Sequence, residues 1–342
     1  MSDWHLAVNA GSSSLKLAAF DTSGATLASH TLAETDAGRL SEAAFAGAVA
    51  ALGQGSAPSG IGHRVVHGLH LNAPTPLTVE TRAVIERAAA FAPLHNPPAL
   101  HVMDLCTALF DGVPQLACFD TAFHATNPDV ATTFPLPEAF REAGIRRYGF
   151  HGLSYASLVR RFEHVTGQTL PRRVLMAHLG AGASLAAVCD GVGVATTMGF
   201  SPMDGLPMAS RAGAMDPGVI FHLLREGHSA EEVERLLIRE SGLKGLANTG
   251  AMKELLARDD AEARFAVDHY IHWIIRHAGA MCAAMGGIDA MVFTGGVGEN
   301  AAPIRDGVVA GLDWAGLRPE ATFVIRADEE GEIAAALRAH LA

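Results

Sequence analysis

The residues of this chain that could do chemistry are gathered in short segments beside apolar runs. Residues 9–16, NAGSSSLK, combine an amide, a glycine, three hydroxyls and a lysine between the runs HLAV and LAAF. Backbone amides at a glycine-containing bend, with hydroxyls and a lysine nearby, favour binding of an anion such as a phosphoryl group. A polar surface hairpin is the alternative, because Gly, Ser and Asn are ordinary turn residues. A P-loop is excluded, because its lysine follows a second glycine at a strand-to-helix turn.

Two arginines and an aspartate are further candidates for anion and phosphoryl chemistry. Arg64 lies in the extended run GHRVVHG, where it shares a strand face with Val66. Asp120 in FDTAFH follows an apolar strand, at the place where open α/β sheets bind ligands. Arg211 lies in the segment MASRAGAMDP. The alternatives are solvated arginines and an aspartate that caps a helix.

Two glycine-rich segments end predicted strands in the second half of the chain. These are HLGAGAS and FTGGVGEN, in which the backbone can approach a phosphate or a nucleotide closely. Tight turns without a ligand are the alternative. The histidines and cysteines show no HExxH or CxxC spacing, so the sequence does not predict a zinc site.

Composition limits the classes of partner. The chain has 342 residues with 49% hydrophobic content, which predicts two globular domains, and a formal net charge of -11, which disfavours nucleic acid and anionic membranes as partners. An anionic ligand therefore needs a local cluster of positive groups. The four cysteines are scattered, which indicates free thiols, and no apolar run is long enough for a membrane span. We expect a soluble cytoplasmic protein.

The elements that must position these residues repeat once along the chain. HLAVNAGSSSLKLAAFDTSG and VLMAHLGAGASLAAVCDG both predict a strand, a Gly/Ser turn and a strand, which indicates a duplicated fold. We predict one domain over residues 1–147 and a second over 148–330, with a terminal helix over 331–342 that packs back on the first. Further helices are expected over 79–91, 99–110 and 262–285 and after GENAA, with strands at 60–67, QLACFDTAF and AMVFTGG.

Taken together, the motifs resemble those of the acetate kinase family, within the acetate and sugar kinase/Hsp70/actin superfamily. The matching segments are NAGSSSLK, GHRVVHG, FAPLHNP, FDTAFH, RRYGFHG, AHLGAGAS, FTGGVGENAA and the late DEE. The resemblance implies an α/β fold of the duplicated actin-like (ribonuclease H-like) ATPase type, with two domains hinged around a central cleft. It also implies a five-stranded mixed sheet in each domain and a homodimer.

The resemblance also assigns expected roles to single residues. For catalysis it implies Arg64, Asp120, His151, His178 and Arg211. For the substrate it implies Arg64, Val66, Leu94, His95, Phe150 and Pro202, of which Val66, Leu94, Phe150 and Pro202 form the pocket for the acyl methyl group. For the nucleotide it implies Ser12, Ser14, Lys16, His178, Gly180, Gly182, Gly296, Val297 and Asn300, and for the metal Asn9 and Glu329, with Asp120 helping to hold it.

The implied reaction is the reversible, direct in-line transfer of the ATP γ-phosphoryl group to acetate, with Mg²⁺ or Mn²⁺. Propionate is a possible second substrate, because a small pocket discriminates a methylene by only about 1–3 kcal/mol. A carboxylate acceptor is already ionised at neutral pH, so Asp120 is expected to orient a metal or side chain rather than act as a base.

The sequence departs from the family pattern in the short segment 21–59 and at four positions. Ala181 replaces a common asparagine, Ala214 a usual aspartate, and Ala251 and Lys253 an Asp-x-Arg pair that helps to hold the nucleoside. These changes leave pyrophosphate or another nucleotide open as the phosphoryl donor. A non-catalytic, actin-like nucleotide-binding protein is the remaining alternative.

Overall fold

The computed structural model describes residues 3–11, 14–33 and 37–342, and the chain divides into two compact units. The first unit contains Met1–Ala125, Phe150–Ser157 and Asp328–Ala342, and the second contains Thr126–Gly149 and Leu158–Ala327. The units therefore interleave along the chain. The predicted boundary between residues 147 and 148 lies inside residues 126–149, a segment of the second unit that separates two segments of the first unit along the chain.

The described strands are β1 (Trp4–Ala10), β2 (Ser14–Asp21), β3 (Thr26–Ala33), β4 (Gly60–Val65), β5 (Thr75–Pro76), β6 (Gln115–Phe119), β7 (Arg173–Leu179), β8 (Ala183–Cys189), β9 (Val192–Thr196), β10 (Ala290–Thr294) and β11 (Thr322–Val324). The α-helices are α1 (Glu42–Ala50), α2 (Val79–Ala88), α3 (Asn96–Leu109), α4 (Asp129–Thr132), α5 (Glu138–Glu142), α6 (Gly152–Thr166), α7 (Pro217–Arg225), α8 (Ala230–Arg235), α9 (Gly242–Ala247), α10 (Met252–Ala257), α11 (Ala261–Met285), α12 (Gly295–Asn300), α13 (Ala302–Gly311) and α14 (Glu329–Leu341). Short 3₁₀ or π turns occupy Ala37–Arg39, Ala122–Thr126, Leu236–Glu240, Asp313–Ala315 and Pro319–Ala321.

The first unit is built on a sheet with the strand order β3-β2-β1-β4-β6-β5. Strands β1, β4 and β6 run parallel, and β2 and β3 continue the sheet antiparallel. The apolar side chains of β1 alternate between two buried clusters, one with α1 and α3 and the other with α14. Burial on both faces explains why the central strands read as continuous apolar runs.

The second sheet repeats this topology. Its order is β11-β10-β7-β8-β9, and the pairings from β9 to β11 are antiparallel, antiparallel, parallel and parallel, as they are from β3 to β6. The duplication predicted from the two strand-turn-strand segments is therefore confirmed. The expectation of five strands is wrong for the first sheet, which carries the two-residue β5 as a sixth strand within the described residues.

Most predicted helices are present with shifted ends. Helix α3 begins at Asn96, three residues earlier than expected, because prolines occupy its first turn, where their missing N–H groups cost nothing. FTGGVGEN is not an open loop: α12 begins directly at the end of β10, where Gly295 has a φ of 78°. Within the described ranges, none of the helices combines the length and the apolar composition that a membrane crossing needs.

Helix α14 packs on the first sheet, against β1 and β4. Ile333, Ala334 and Leu337 on its inner face are buried. Gly62 in β4 permits the close approach, because a Cβ there would overlap Cγ2 of Ile333. The helix therefore places its first turn at one edge of the sheet.

Candidate active site

Three neighbouring parallel strands carry their polar residues to the same edge of the first sheet. Asn9 is near the end of β1, Arg64 near the end of β4, and Asp120 directly follows β6. The register pairs Val8 with His63 and Arg64 with Cys118, so these strand ends are adjacent. Ligands of open α/β sheets bind at the carboxyl ends of the strands.

Arg64 is the centre of the cluster. Its Nε and Nη2 donate to Asp120 Oδ2 at 3.1 and 2.7 Å, and its Nη1 donates to Asn9 Oδ1 at 3.0 Å. Glu329 Oε2 lies 3.4 Å from Nη1. These three hydrogen bonds use part of the five N–H groups of a guanidinium, so the side chain is oriented and still has donor capacity for a ligand.

The first turn of α14 completes the cluster from the other end of the chain. Asn9 Nδ2 donates to Glu329 Oε2 at 2.9 Å and to Glu330 Oε1 at 2.7 Å. Carboxylates are also favoured in the first turn of a helix, where the backbone N–H groups are unpaired. Contacts across 320 and 321 residues therefore join the first strand to the last helix.

Burial and charge act in opposite directions on the two central groups. Burial lowers the pKa of Arg64, but the carboxylates of Asp120 and Glu329 raise it more, so the guanidinium stays charged. Burial raises the pKa of Asp120, and Arg64 opposes that shift. Asp120 Oδ1 is buried and has no hydrogen-bond partner among the described residues. An orphaned buried carboxylate oxygen of this kind is suited to a cation.

Ser14 and Lys16, two of the remaining predicted phosphate contacts of the first unit, lie on β2. Lys16 pairs with Asn9 in the antiparallel register, and its side chain is exposed. The Ser14 carbonyl oxygen accepts from the Gly11 N–H at 2.8 Å. Ser12 lies outside the described residues.

The residues expected to form the acyl pocket differ in burial. Val66 and Phe150 are buried, and Leu94 and His95 are half-buried. Phe150 is held by His124, whose Nε2 donates to the Phe150 carbonyl oxygen at 2.8 Å, and its ring lies 5.8 Å from that of His67. Pro202 belongs to the second unit. His151, which follows Phe150, has a φ of 58°, an uncommon left-handed conformation for a residue with a side chain.

The second unit has a corresponding strand edge. His178 in β7 pairs with Thr294 in β10, so the glycines that follow both strands are neighbours. The Gly180 N–H donates to the Gly182 carbonyl oxygen at 2.9 Å, and a Cβ on Gly180 would lie 3.9 Å from the Gly296 nitrogen. The structure thus brings together the glycines for which a nucleotide role was expected.

Two further residues from the expected nucleotide set lie in α12. Asn300 is exposed and donates from Nδ2 to the Gly296 carbonyl oxygen at 2.8 Å, and Val297 is half-buried. Among the positions that depart from the family pattern, Ala181, Ala251 and Lys253 are exposed and Ala214 is half-buried.

Arg211 differs from Arg64 in its partners. Its Nη1 donates to the Pro202 carbonyl oxygen at 3.0 Å, so the two residues expected from the sequence are in contact. No carboxylate pairs with Arg211 in the part of the chain that the structure describes, and burial lowers its pKa. A desolvated guanidinium without a carboxylate partner favours an anionic ligand.

Sequence reasoning missed two residues of the first unit. Glu330 contacts Asn9 directly, and the only available signal was its place in the DEE segment. Asn96 is fully buried and holds the backbone of GHRVVHG, accepting from the His67 N–H at 3.1 Å and donating to its carbonyl oxygen at 2.9 Å. Its position in PLHNP beside the predicted His95 was the corresponding signal.

Residues 53–336 match the model of the acetokinase family. The acetate kinase of Methylocella silvestris is 44% identical over 294 residues, 80% of this chain and 73% of that protein. The acetate kinase of Rhodopseudomonas palustris is 41% identical over 350 residues, 93% of this chain and 88% of that protein.

Two solved structures are similar over nearly their whole length. The acetate kinase of Porphyromonas gingivalis gives a TM-score of 0.89 at 29% identity and covers 100% of both chains. A propionate kinase from Francisella tularensis gives 0.90 at 28% identity, with 98% of this chain and 99% of that chain covered. The predicted duplicated α/β fold is confirmed by these matches and by the two sheets. The chain belongs to the acetokinase family.

Proposed function

We propose that the protein transfers the γ-phosphoryl group of ATP to acetate, giving acetyl phosphate and ADP, and that it accepts propionate as a second acid. The acetate kinase names of its relatives support this reaction, and the similar propionate kinase supports the second substrate. The single observation that carries the proposal is the oriented Arg64, held by Asp120 and Asn9 at the carboxyl ends of three parallel strands.

Charge is the main difficulty of this reaction, and the arginines address it. An acetate anion must approach the triphosphate, and negative charge spreads over the equatorial oxygens of the transferring group. Two unit charges 4 Å apart interact by about 1 kcal/mol in bulk water and by about 4 kcal/mol at an effective dielectric near 20. We assign the carboxylate and the transferring phosphoryl group to the partly buried guanidiniums of Arg64 and Arg211. His151 and His178 are proposed to donate hydrogen bonds to that group.

No general base is needed, because the carboxylate acceptor is ionised at neutral pH. The contacts of Asp120 agree with an orienting role, since its Oδ2 accepts two hydrogen bonds from Arg64. We assign its other oxygen, Oδ1, to the metal ion, which leaves neither oxygen to remove a proton from a substrate. A kinase that phosphorylates a hydroxyl would need such a base.

The described residues fit a magnesium ion. No group of three or more His, Cys, Asp or Glu side chains suited to a metal occurs within residues 3–11, 14–33 and 37–342. Mg²⁺ does not need one, because it is usually held by one or two carboxylates together with phosphate oxygens and water. We propose Asp120, through its unpartnered Oδ1, and Glu329 as its protein ligands. When bound, Mg²⁺ or Mn²⁺ would neutralise charge on the phosphoryl oxygens.

The other roles are proposed from position. Lys16, Ser12 and Ser14 are assigned to phosphate oxygens, and the turn Gly180–Gly182 with Gly296, Val297 and Asn300 to the nucleotide. Val66, Leu94, Phe150 and Pro202 are assigned to the acyl methyl group, with His95 close by. The buried Val66 and Phe150 are suited to an apolar contact.

We also propose a cytoplasmic homodimer. The four cysteines are free, as expected of thiols in a reducing compartment. Helix α7 contains no buried residue, although Val219, Phe221 and Leu224 are apolar and 42%, 56% and 40% exposed. Exposed apolar side chains on one helix favour contact with a second subunit. Light scattering on the purified protein measures the oligomeric state.

Trapping of acetyl phosphate as the hydroxamate tests the proposed reaction. Purified protein is incubated with acetate, propionate or butyrate, and with ATP or pyrophosphate in turn, in the presence of Mg²⁺. We expect turnover with ATP, highest with acetate and measurable with propionate. Turnover only with pyrophosphate would replace ATP as the donor, and nucleotide binding without any acyl phosphate would overturn the kinase assignment.

A further inference from the structure

The Asn9 carboxamide forms hydrogen bonds with both Arg64 and Glu330. Its Oδ1 accepts from Arg64 Nη1, while its Nδ2 donates to Glu329 and Glu330. The reverse orientation of the amide would place N–H groups against N–H groups and an oxygen against two carboxylates. The surrounding charges therefore fix which way the amide points.

This orientation conflicts with the role that the sequence suggests for Asn9. A side-chain amide binds a metal through its oxygen, and that oxygen is engaged 3.0 Å from a guanidinium nitrogen. The amide nitrogen uses its two hydrogens on two carboxylates. Asn9 thus has the contacts of a linking group rather than those of a metal ligand.

Glu330 is placed to act through Asn9. Its Oε1 accepts from Asn9 Nδ2 at 2.7 Å, the shorter of the two hydrogen bonds from that nitrogen. Glu330 is half-buried, so water competes less for this bond than at an exposed site. Arg64 has four rotatable side-chain bonds and would lose one of its fixed contacts if the amide turned.

We propose that Asn9 and Glu330 are positioning residues: Glu330 holds the Asn9 amide, and the amide holds Nη1 of Arg64 in the orientation that the reaction needs. The proposal deepens the function proposed above and rests on it for its kinetic consequences. Its structural part, the dependence of Arg64 on Glu330, stands independently.

The structural part is tested by NMR of arginine side chains in the full-length protein. The Nε–H signal of Arg64 is identified by its loss in Arg64→Lys and then followed in Glu330→Ala, Asn9→Ala and Glu332→Gln. Glu332→Gln is the matched control, because Glu332 lies in the same first turn of α14. We expect the signal to shift or broaden in both Ala variants and to stay in place in the control. An unchanged signal in Glu330→Ala would overturn the proposal, whether or not the protein is a kinase.

The kinetic part is tested by a double-mutant cycle. Glu330→Ala is expected to lower kcat about tenfold with little change in the Mg²⁺ concentration for half-maximal rate, and Glu330→Gln, which keeps an acceptor oxygen, to restore most of it. In an Asn9→Ala background, Glu330→Ala should lower kcat much less than tenfold, because only the direct attraction between the Glu330 and Arg64 charges is then left to lose. The proposed link would be contradicted if the two substitutions lowered kcat by factors that multiply in the double variant. A higher Mg²⁺ requirement in Glu330→Gln would also contradict it. Urea unfolding of each variant separates these effects from a general loss of stability.

Discussion

At the scale of single residues, the two arginines differ in a way that their sequence contexts do not reveal. Arg64 is bonded to Asp120 and Asn9, so its position is fixed before any ligand binds. Arg211 is partly buried, and its oxygen partner is the Pro202 carbonyl group. An incoming anion would therefore supply the negatively charged partner that this guanidinium lacks among the described residues. We infer that the first guanidinium is a rigid contact and the second a contact completed by substrate.

Replacing Arg64 by alanine should lower kcat by on the order of 10² or more, as the loss of a transition-state donor does elsewhere. Arg64→Lys should have a kcat only slightly higher than that of Arg64→Ala, because an ammonium group cannot reproduce the planar set of donors of a guanidinium. Steady-state acetyl phosphate formation measures both effects. Arg82→Ala is the control, since Arg82 forms surface ion pairs with Glu86 and Asp104, and its turnover should match the wild type.

The sequence predicts only part of this cluster. Asn9, Arg64 and Asp120 could be proposed from their places at the ends of apolar strands. The hydrogen bonds of Asn9 with Glu329 and Glu330 could not, because these residues are more than 300 positions away and meet Asn9 only when α14 packs on the sheet. A lone late acidic segment gives no indication of which strand end it contacts.

At the scale of elements, the site depends on how closely the backbone segments around Asp120 approach each other. The Asp120 N–H donates to the Val65 carbonyl oxygen at 2.9 Å, and its own carbonyl oxygen accepts from the Gly152 N–H at 2.9 Å. Gly152 opens α6, and a Cβ there would overlap that carbonyl. The start of α6 therefore fixes the end of β6.

Gly152→Ala should consequently destabilise the protein by about 1–3 kcal/mol, the range for overpacked sites, and reduce turnover because Asp120 must move. Gly47→Ala is the matched control, since Gly47 lies in α1 with nothing within 4 Å of an added Cβ. That control should be neutral or stabilising by up to about 1 kcal/mol. Urea unfolding compares the two, and equal stability of both variants would contradict the close approach.

The sequence predicted the presence of several helices and strands more accurately than the residues at which they begin and end. Apolar periodicity indicated α11 almost to the residue, because Asp260 caps its start and Gly286 ends it with a φ of 70°. The helix at Gly295–Asn300 was missed, because its glycines resemble a loop until the β10 end positions them. Helices α7 to α10 were not predicted either: they are short, and most of their residues are exposed or half-buried, so their periodicity is weak.

At the scale of the whole molecule, the duplicated topology supplies one polar strand edge in each unit. The first edge carries carboxylates and an oriented arginine, and the second carries glycine turns and His178. Repetition of one fold has thus produced two edges of different chemistry. Carboxylates and a guanidinium can bind a cation and an anion at the first edge, and the glycines of the second permit close approach of the backbone to a ligand.

Stability should fall as the pH falls below about 6.5. Burial lowers the pKa values of His63, His67 and His124 to about 4, whereas the same side chains titrate near 6.5 in the unfolded chain. Between these values only the unfolded state binds the protons, so the three histidines together should cost about 4 kcal/mol between about pH 7.5 and 5.5.

Urea unfolding at several pH values measures this loss. His63→Gln cannot titrate at that position, so its dependence on pH should be about one third weaker, whatever its absolute stability. His222→Gln, a substitution at an exposed position of α7, is measured in the same way for comparison. A free energy of unfolding that stays constant over this range would show that the three imidazoles are not held neutral.

The central claim is that an acetate oxygen becomes bonded to the γ-phosphorus of ATP at this site. It is tested most directly by incubating the purified protein with ATP, Mg²⁺ and acetate labelled with ¹⁸O, and by examining the product by ³¹P NMR. We predict acetyl phosphate whose phosphorus is bonded to one ¹⁸O, together with unlabelled ADP. Inorganic phosphate without acetyl phosphate, or acetyl phosphate whose phosphorus bears no label, would contradict the account.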